Sequence, residues 1–438
     1  MSTTDAPAFY RTGRFTPVPA ETTHTDLKVT GTIPAELNGR YLRNGANPRS
    51  GEAGHWFLGD GMVHGVELRD GHASWYRNRW VRSATFTDGA KVVRDDFNID
   101  HTAGAINTNV IAHAGKILAL AESSFPFELT PQLDTVGPFD FDGRLTTAMT
   151  AHPKVCPTTG ELHFFGYGYT APFLTYHCAD ATGALVRSEV IEVPGSTMIH
   201  DFAITEHHVV FLDLPVVFDL DLALQGTMPY RWDDDYGARI GILGRDGDGP
   251  VRWFDIAPCY VFHVLNAYET PGGIVVDGVR YEEIWRDGPD DFRRSTMHRW
   301  TIDTTSGAVT ETALDDLDCE FPRLDDRRTG LPHTVGYTVH VDETDTPTGS
   351  ILRYDLASGT RSSFGFGAGR VPGEAVFVPA GPDAGETDGY LLTYVYDHRT
   401  NCSDLVILDA SDTSAPPVAT IELAARVPAG FHGNWIPD

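Results

Sequence analysis

Six times along this chain a short strand-forming run meets a turn and then, about eight to ten residues on, a second, more apolar run. The units begin near 107, 150, 199, 262, 320 and 373, and successive starts lie about 45 to 63 residues apart. That period matches one four-stranded β-propeller blade with loop insertions. The tail Gly430-Phe431-His432-Gly433-Asn434-Trp435 supplies a seventh start. Asp-Gly recurs nine times and Asn-Gly twice, and both dipeptides favour the positive φ of tight hairpin turns. Few windows support an amphipathic helix; the exception is 215–237, which reads as a longer excursion with one helical turn. The expected class is all-β, a seven-bladed propeller closed by pairing the last strand with the strands near Tyr41. Residues 1–30 read as an extended N-terminal arm, and 31–438 as a single propeller domain.

Length alone, 438 residues, suggests two or three domains, but large closed β architectures exceed the usual domain size. The hydrophobic share of 41% is enough for a full core. With 33 Lys+Arg against 61 Asp+Glu, the net charge of −28 disfavours nucleic acid or an anionic membrane as an electrostatic partner. Five scattered cysteines without a CxxC indicate neither a zinc–thiolate site nor a disulfide framework. They fit a reducing cytoplasm. The polar N-terminus has no signal-peptide core, and no run approaches the ~18 apolar residues of a membrane span. Peripheral membrane contact stays compatible with this pattern.

A free tail has no need of an apolar segment with two glycines and a histidine; a tail that closes a ring and delivers a ligand to its axis does. First strands of propeller blades line the central channel. Three other units start with a histidine, His152, His200 and His263, to stand beside His432. Two more start with Glu320 and Glu374, and in the remaining unit Glu122 ends the second strand. Four neutral imidazoles suit iron, copper, zinc or nickel. Three carboxylates can each accept the free ring N–H of a ligating histidine, fixing its tautomer and balancing charge. Open positions beside such a centre make Fe(II) the natural metal for oxygen chemistry. Singly, a histidine is more often surface or satisfied core than a ligand; only the shared repeat position distinguishes these four. Of the remaining histidines among the 18, His64 reads as structural or as substrate wall, the pair His207-His208 as a turn before a strand, and the others, His101 and His163 included, carry no sign of a role at the centre. No HExxH, GxSxG or phosphate-binding glycine motif competes.

The contexts Thr-Ala-His152-Pro-Lys, Met-Ile-His200-Asp-Phe, Phe-His263-Val-Leu-Asn and Phe-His432-Gly-Asn-Trp resemble the metal-ligand motifs of the carotenoid cleavage oxygenases. Arg-Tyr-Leu-Arg-Asn-Gly-Ala-Asn-Pro near 43 and Gly-Asp-Gly-Met-Val-His near 61 do so too, and the resemblance runs from about 30 to the end. It implies a propeller with a loop and helix dome over the metal face, and Fe(II) held by four histidines with three glutamates behind them. It also implies cleavage of an activated double bond by O₂ into two carbonyl products.

Most members take carotenoids or apocarotenoids, and a bacterial branch takes phenolic stilbenes. That branch holds the phenol with a lysine directly before the first glutamate and a nearby tyrosine. Here position 121 is alanine, and 86–100 contains no tyrosine. The resemblance therefore implies an apolar polyene substrate, with a stilbene or other phenylpropenoid as the alternative. Phe57, Phe125 and Phe127 are the expected substrate contacts, and Phe125-Pro-Phe127 and 215–237 the expected dome and membrane-facing patch. The rival from another class is a non-enzymatic propeller that binds lipid.

Overall fold

In a computed structural model, which describes residues 8–247 and 249–438, seven antiparallel sheets form the blades of a propeller. Their innermost segments are Gly433–Pro437, Asn109–His113, Lys154–Val155, Ala203–Ile204, Val264–Thr270, Glu320–Arg323 and the pair Arg370–Pro372 and Val376–Pro379. The blade starts fall where the repeat places them. Strands such as Gly39–Ala46 and Leu174–Ala179 are buried on both faces, and their apolar side chains enter clusters shared between neighbouring blades, so the core is a set of wedges.

The ring closes as the tail sequence predicts. Gly433–Pro437 pairs antiparallel with Gly39–Ala46, with Tyr41 opposite Trp435 and Arg43 opposite Gly433. The N-terminal arm does more than extend over the surface. Thr23–His24 adds an edge strand to the first blade and Lys28–Gly31 one to the seventh, where it pairs with Ala419–Ala425. Both ends of the chain therefore bridge the same two blades.

Not every Asp-Gly or Asn-Gly makes a turn. Asn44-Gly45 lies within the strand Gly39–Ala46 and Asp277-Gly278 within Gly273–Tyr281. Asp277 is fully buried there and holds Arg299 through two hydrogen bonds of 2.6 and 2.8 Å, a packing role that overrides the turn preference. The excursion 215–237 contains a small hairpin, Val216–Phe218 with Tyr230–Trp232, and one short helix, Leu220–Leu224. Among the described residues no helix is long and apolar enough to cross a membrane.

Gly433 is where closure is tightest. A Cβ added there would meet the Leu42 carbonyl oxygen at 2.4 Å, and the Gly433 N–H donates to Glu374 at 2.9 Å. Gly433→Ala is expected to cost about 1–3 kcal/mol through overpacking, read as a lower denaturant midpoint. An unchanged midpoint would show that the closing strand has slack.

Candidate metal centre

Most of the residues singled out by the repeat stand just outside an innermost strand; Glu320 opens the strand Glu320–Arg323, and Glu122 lies two residues beyond the second strand Lys116–Leu120 of its blade. His263 and His432 directly precede their strands, His152 and His200 precede theirs by two and three residues, and Glu374 precedes Val376 by two. A residue just outside a strand escapes the in–out alternation of the pleat and can lie on the axis.

There the four imidazoles meet. Nε2 of His152 lies 3.0 Å from Nε2 of His200, and Nε2 of His263 lies 3.0 Å from Nε2 of His432. All four rings are buried, and one nitrogen from each lies within 4.8 Å of the others. The three glutamates stand behind three of the rings. His263 Nδ1 is 2.6 Å from Glu320, His432 Nδ1 is 2.9 Å from Glu374, and His200 Nδ1 touches Glu122.

This donor set tests whether a metal fits. A ring that donates Nδ1–H to a carboxylate presents Nε2 as a bare acceptor. At His263 and His432 two such acceptors face each other and compete for one positive charge. Burial depresses both rings; Glu320 outweighs burial at His263, which is raised, whereas His432 is left at about 4. Burial and the neighbouring rings hold His152 well below the ordinary value. One divalent cation satisfies both facing pairs at once, and the residues present fit it.

A further layer fixes the carboxylates, and sequence reasoning did not anticipate it. The Tyr167 hydroxyl donates to Glu122 at 2.5 Å and the Tyr281 hydroxyl to Glu320 at 3.0 Å. Arg323 lies 3.3 Å from Glu374. Burial alone would raise the Glu374 carboxyl; Arg323 and His432 outweigh it and hold it at about 2. Phe321 carries a left-handed φ of 55°, unusual for a bulky residue, at a bulge of its strand. That turn lets its N–H reach Glu320 and stacks its ring on His263 at 5.4 Å.

Above the centre opens a cavity of about 890 Å³, mostly apolar in its lining. Trp56, Phe57 and Phe218 line it, with Phe262, Phe321 and Phe431. The last three each adjoin a histidine or glutamate of the centre in sequence, a signal that could have found them. Phe125 and Phe127, expected as substrate contacts, are not among its lining. Phe127 is 1% exposed in its strand and packs with Ile117 and Ala119, and Phe125 packs against the cluster that holds Leu118 and Leu120. Strand alternation sends Phe127 into the wedge between blades, so the Phe-Pro-Phe segment is no membrane-facing patch. His64 is buried on the Tyr76 hydroxyl at 2.9 Å, a structural role, whereas His101 does line the cavity. Ala121 lines it too, and among the described residues the only lysine or arginine on its wall is Lys91, paired with Asp95.

The chain matches the family model described as Retinal pigment epithelial membrane protein over residues 15–437. It is 40% identical to a carotenoid cleavage oxygenase of Mycobacterium tuberculosis, across 98% of this chain and 97% of that one. It is 34% identical to an isoeugenol monooxygenase of Pseudomonas nitroreducens, across 97% of each. Among solved structures it superposes on the lignostilbene dioxygenase of Pseudomonas brassicacearum with a TM-score of 0.89 at 29% identity, covering 99% of both chains.

Proposed function

The chain belongs to the retinal pigment epithelial membrane protein family of carotenoid cleavage oxygenases, and from that premise we propose that it cleaves a carbon–carbon double bond of a carotenoid or apocarotenoid with O₂ to give two carbonyl products. As a member it is an oxygenase, which removes a purely lipid-binding propeller from consideration. His152, His200, His263 and His432 would hold Fe(II), with Glu122, Glu320 and Glu374 orienting three of them and balancing charge. When bound, ferrous iron supplies the activation of O₂ that a spin-paired alkene requires. The chain's own part is placement. The aromatic walls hold the polyene so that one double bond lies beside the four rings, and position along the cavity decides which bond is cut.

The observation that carries the polyene reading is the apolar cavity itself, with alanine at 121 and its one lysine engaged by Asp95. The hydroxyls of Tyr167 and Tyr281 are committed to glutamates rather than offered to a phenol. The alternative, a stilbene or other phenylpropenoid, draws on the isoeugenol and lignostilbene relatives. Iron-loaded protein given β-carotene, an apocarotenal, a hydroxystilbene and isoeugenol, with products identified by mass, separates the two. Carbonyl fragments from the polyenes alone support the first reading; fragments from the phenolic compounds alone replace it with the second.

A polyene must reach the cavity from lipid. Phe97, Leu220 and Leu224 are 80%, 60% and 77% exposed, and all three lie on the cavity's lining, so they form an apolar rim. At a net charge of −28 the docking would be hydrophobic rather than electrostatic. The double variant Leu220→Ser, Leu224→Ser is expected to lose co-sedimentation with neutral phosphatidylcholine vesicles. It should retain turnover on detergent-dispersed substrate; undiminished vesicle binding would place the contact elsewhere.

A further inference from the structure

A second cluster of donors lies in the blade that carries His152, outside the cavity. Glu161 directly precedes the strand Leu162–Tyr167, and His163 is that strand's second residue. Cys178 sits directly opposite His163 on the next strand. One donor atom from each, oxygen, nitrogen and sulfur, lies within 4.8 Å of the other two.

The imidazole points to a ligand. His163 is 2% exposed, and its Nδ1 is held by the Tyr176 hydroxyl at 2.6 Å. Its Nε2 is buried without a hydrogen-bond partner, 3.7 Å from the Glu161 carboxylate. A buried ring nitrogen left unpaired is a cost that native structures rarely leave uncompensated. The Tyr176 hydroxyl is the kind of outer partner that sets the tautomer of a ligating histidine.

We propose that Glu161, His163 and Cys178 form a second metal site, distinct from the four-histidine centre, that takes a thiophilic divalent ion of the zinc class. Nitrogen, sulfur and carboxylate donors together match zinc, and the partly exposed Glu161 leaves a side for a water as fourth ligand. The surrounding charges permit it. Arg187 is neutralised by Glu189 at 3.0 Å, and Arg245 is held on Glu161 at 2.8 Å and on the carbonyls of Thr205 and Glu206. Burial raises the Cys178 thiol to about 11, and binding the ion would release its proton. The ion would tie the hairpin between Cys156 and Glu161 to the neighbouring strand. Spacing in the sequence hides such a site because Glu161 and His163 come from one end of a strand and Cys178 from its neighbour, which is why the scattered cysteines gave no sign of zinc.

Cobalt(II) titration of the metal-free protein under anaerobic conditions tests this directly. The four-histidine centre offers only nitrogen, so a near-ultraviolet sulfur-to-cobalt charge-transfer band reports on the second site alone. The band is expected in the wild type and in His432→Ala. It should vanish in Cys178→Ser and His163→Gln and persist in Cys402→Ser. Should the two buried substitutions impair folding, Glu161→Gln alters a partly exposed side chain and should weaken cobalt binding at this site at least about 10-fold, since losing even an outer partner costs that much. No band at saturating cobalt, a band that survives Cys178→Ser, or unchanged affinity in Glu161→Gln would overturn the proposal.

Discussion

His432→Ala protein is expected to lose both iron and turnover while keeping its propeller. The substitution removes one of two facing imidazoles and leaves His263 without its opposite number at 3.0 Å. Losing an outer partner of a ligand costs about 10–100-fold in affinity or activity, and losing the ligand itself costs more. The closing strand Gly433–Pro437 keeps its pairing with Gly39–Ala46, so the far-ultraviolet spectrum should change little. His208→Ala is the matching control. That ring lies on Glu269 at 2.9 Å, away from the cavity lining, and its loss should leave iron content and turnover intact. Retained turnover in His432→Ala, measured as product per iron-loaded chain, would remove this residue from the centre.

Glu374→Gln should lower iron affinity about 10–100-fold and destabilise the chain as well, and the pairing of the two effects is diagnostic. Glu374 is 2% exposed and joins three groups: the His432 ring, the Gly433 N–H and Arg323. An amide keeps the shape and can still accept from the ring, but it removes the charge that faces Arg323. Arg323 retains Asp326 at 3.2 Å and the Gly433 carbonyl at 2.9 Å, so the stability loss should stay near about 1–3 kcal/mol. Glu320 faces a neutral tyrosine instead of a cation. Glu320→Gln should therefore show the affinity loss with a smaller stability loss. Metal titration and denaturant unfolding of both variants check this. Equal stability losses would mean that Arg323 does not depend on Glu374.

Much of this was legible in sequence because it follows from periodicity. The blade starts are regular, and the polar residues on them stand out against apolar strands. Closure through Trp435 opposite Tyr41 was visible because the tail is too apolar to be free. What failed to show depends on side-chain direction and on partners distant in sequence. Phe127 reads in sequence as a substrate contact, but strand alternation puts it between blades. Asp277-Gly278 carried a turn signature that a buried pair with Arg299 overrides. Tyr167 and Tyr281 reach glutamates 45 and 39 residues away, and no local pattern marks them. The arm's edge strands escaped notice because a four-residue run such as Lys28–Gly31 has little burial of its own.

The most direct test of the central claim is iron per chain in anaerobically reconstituted protein, followed by admission of O₂ with β-carotene or an apocarotenal present. The account predicts about one tightly held iron at the four-histidine centre, loss of polyene absorbance only once O₂ enters, and a pair of carbonyl fragments whose masses sum to substrate plus O₂. Protein that takes up no iron, or that consumes the polyene equally well without iron, would contradict it.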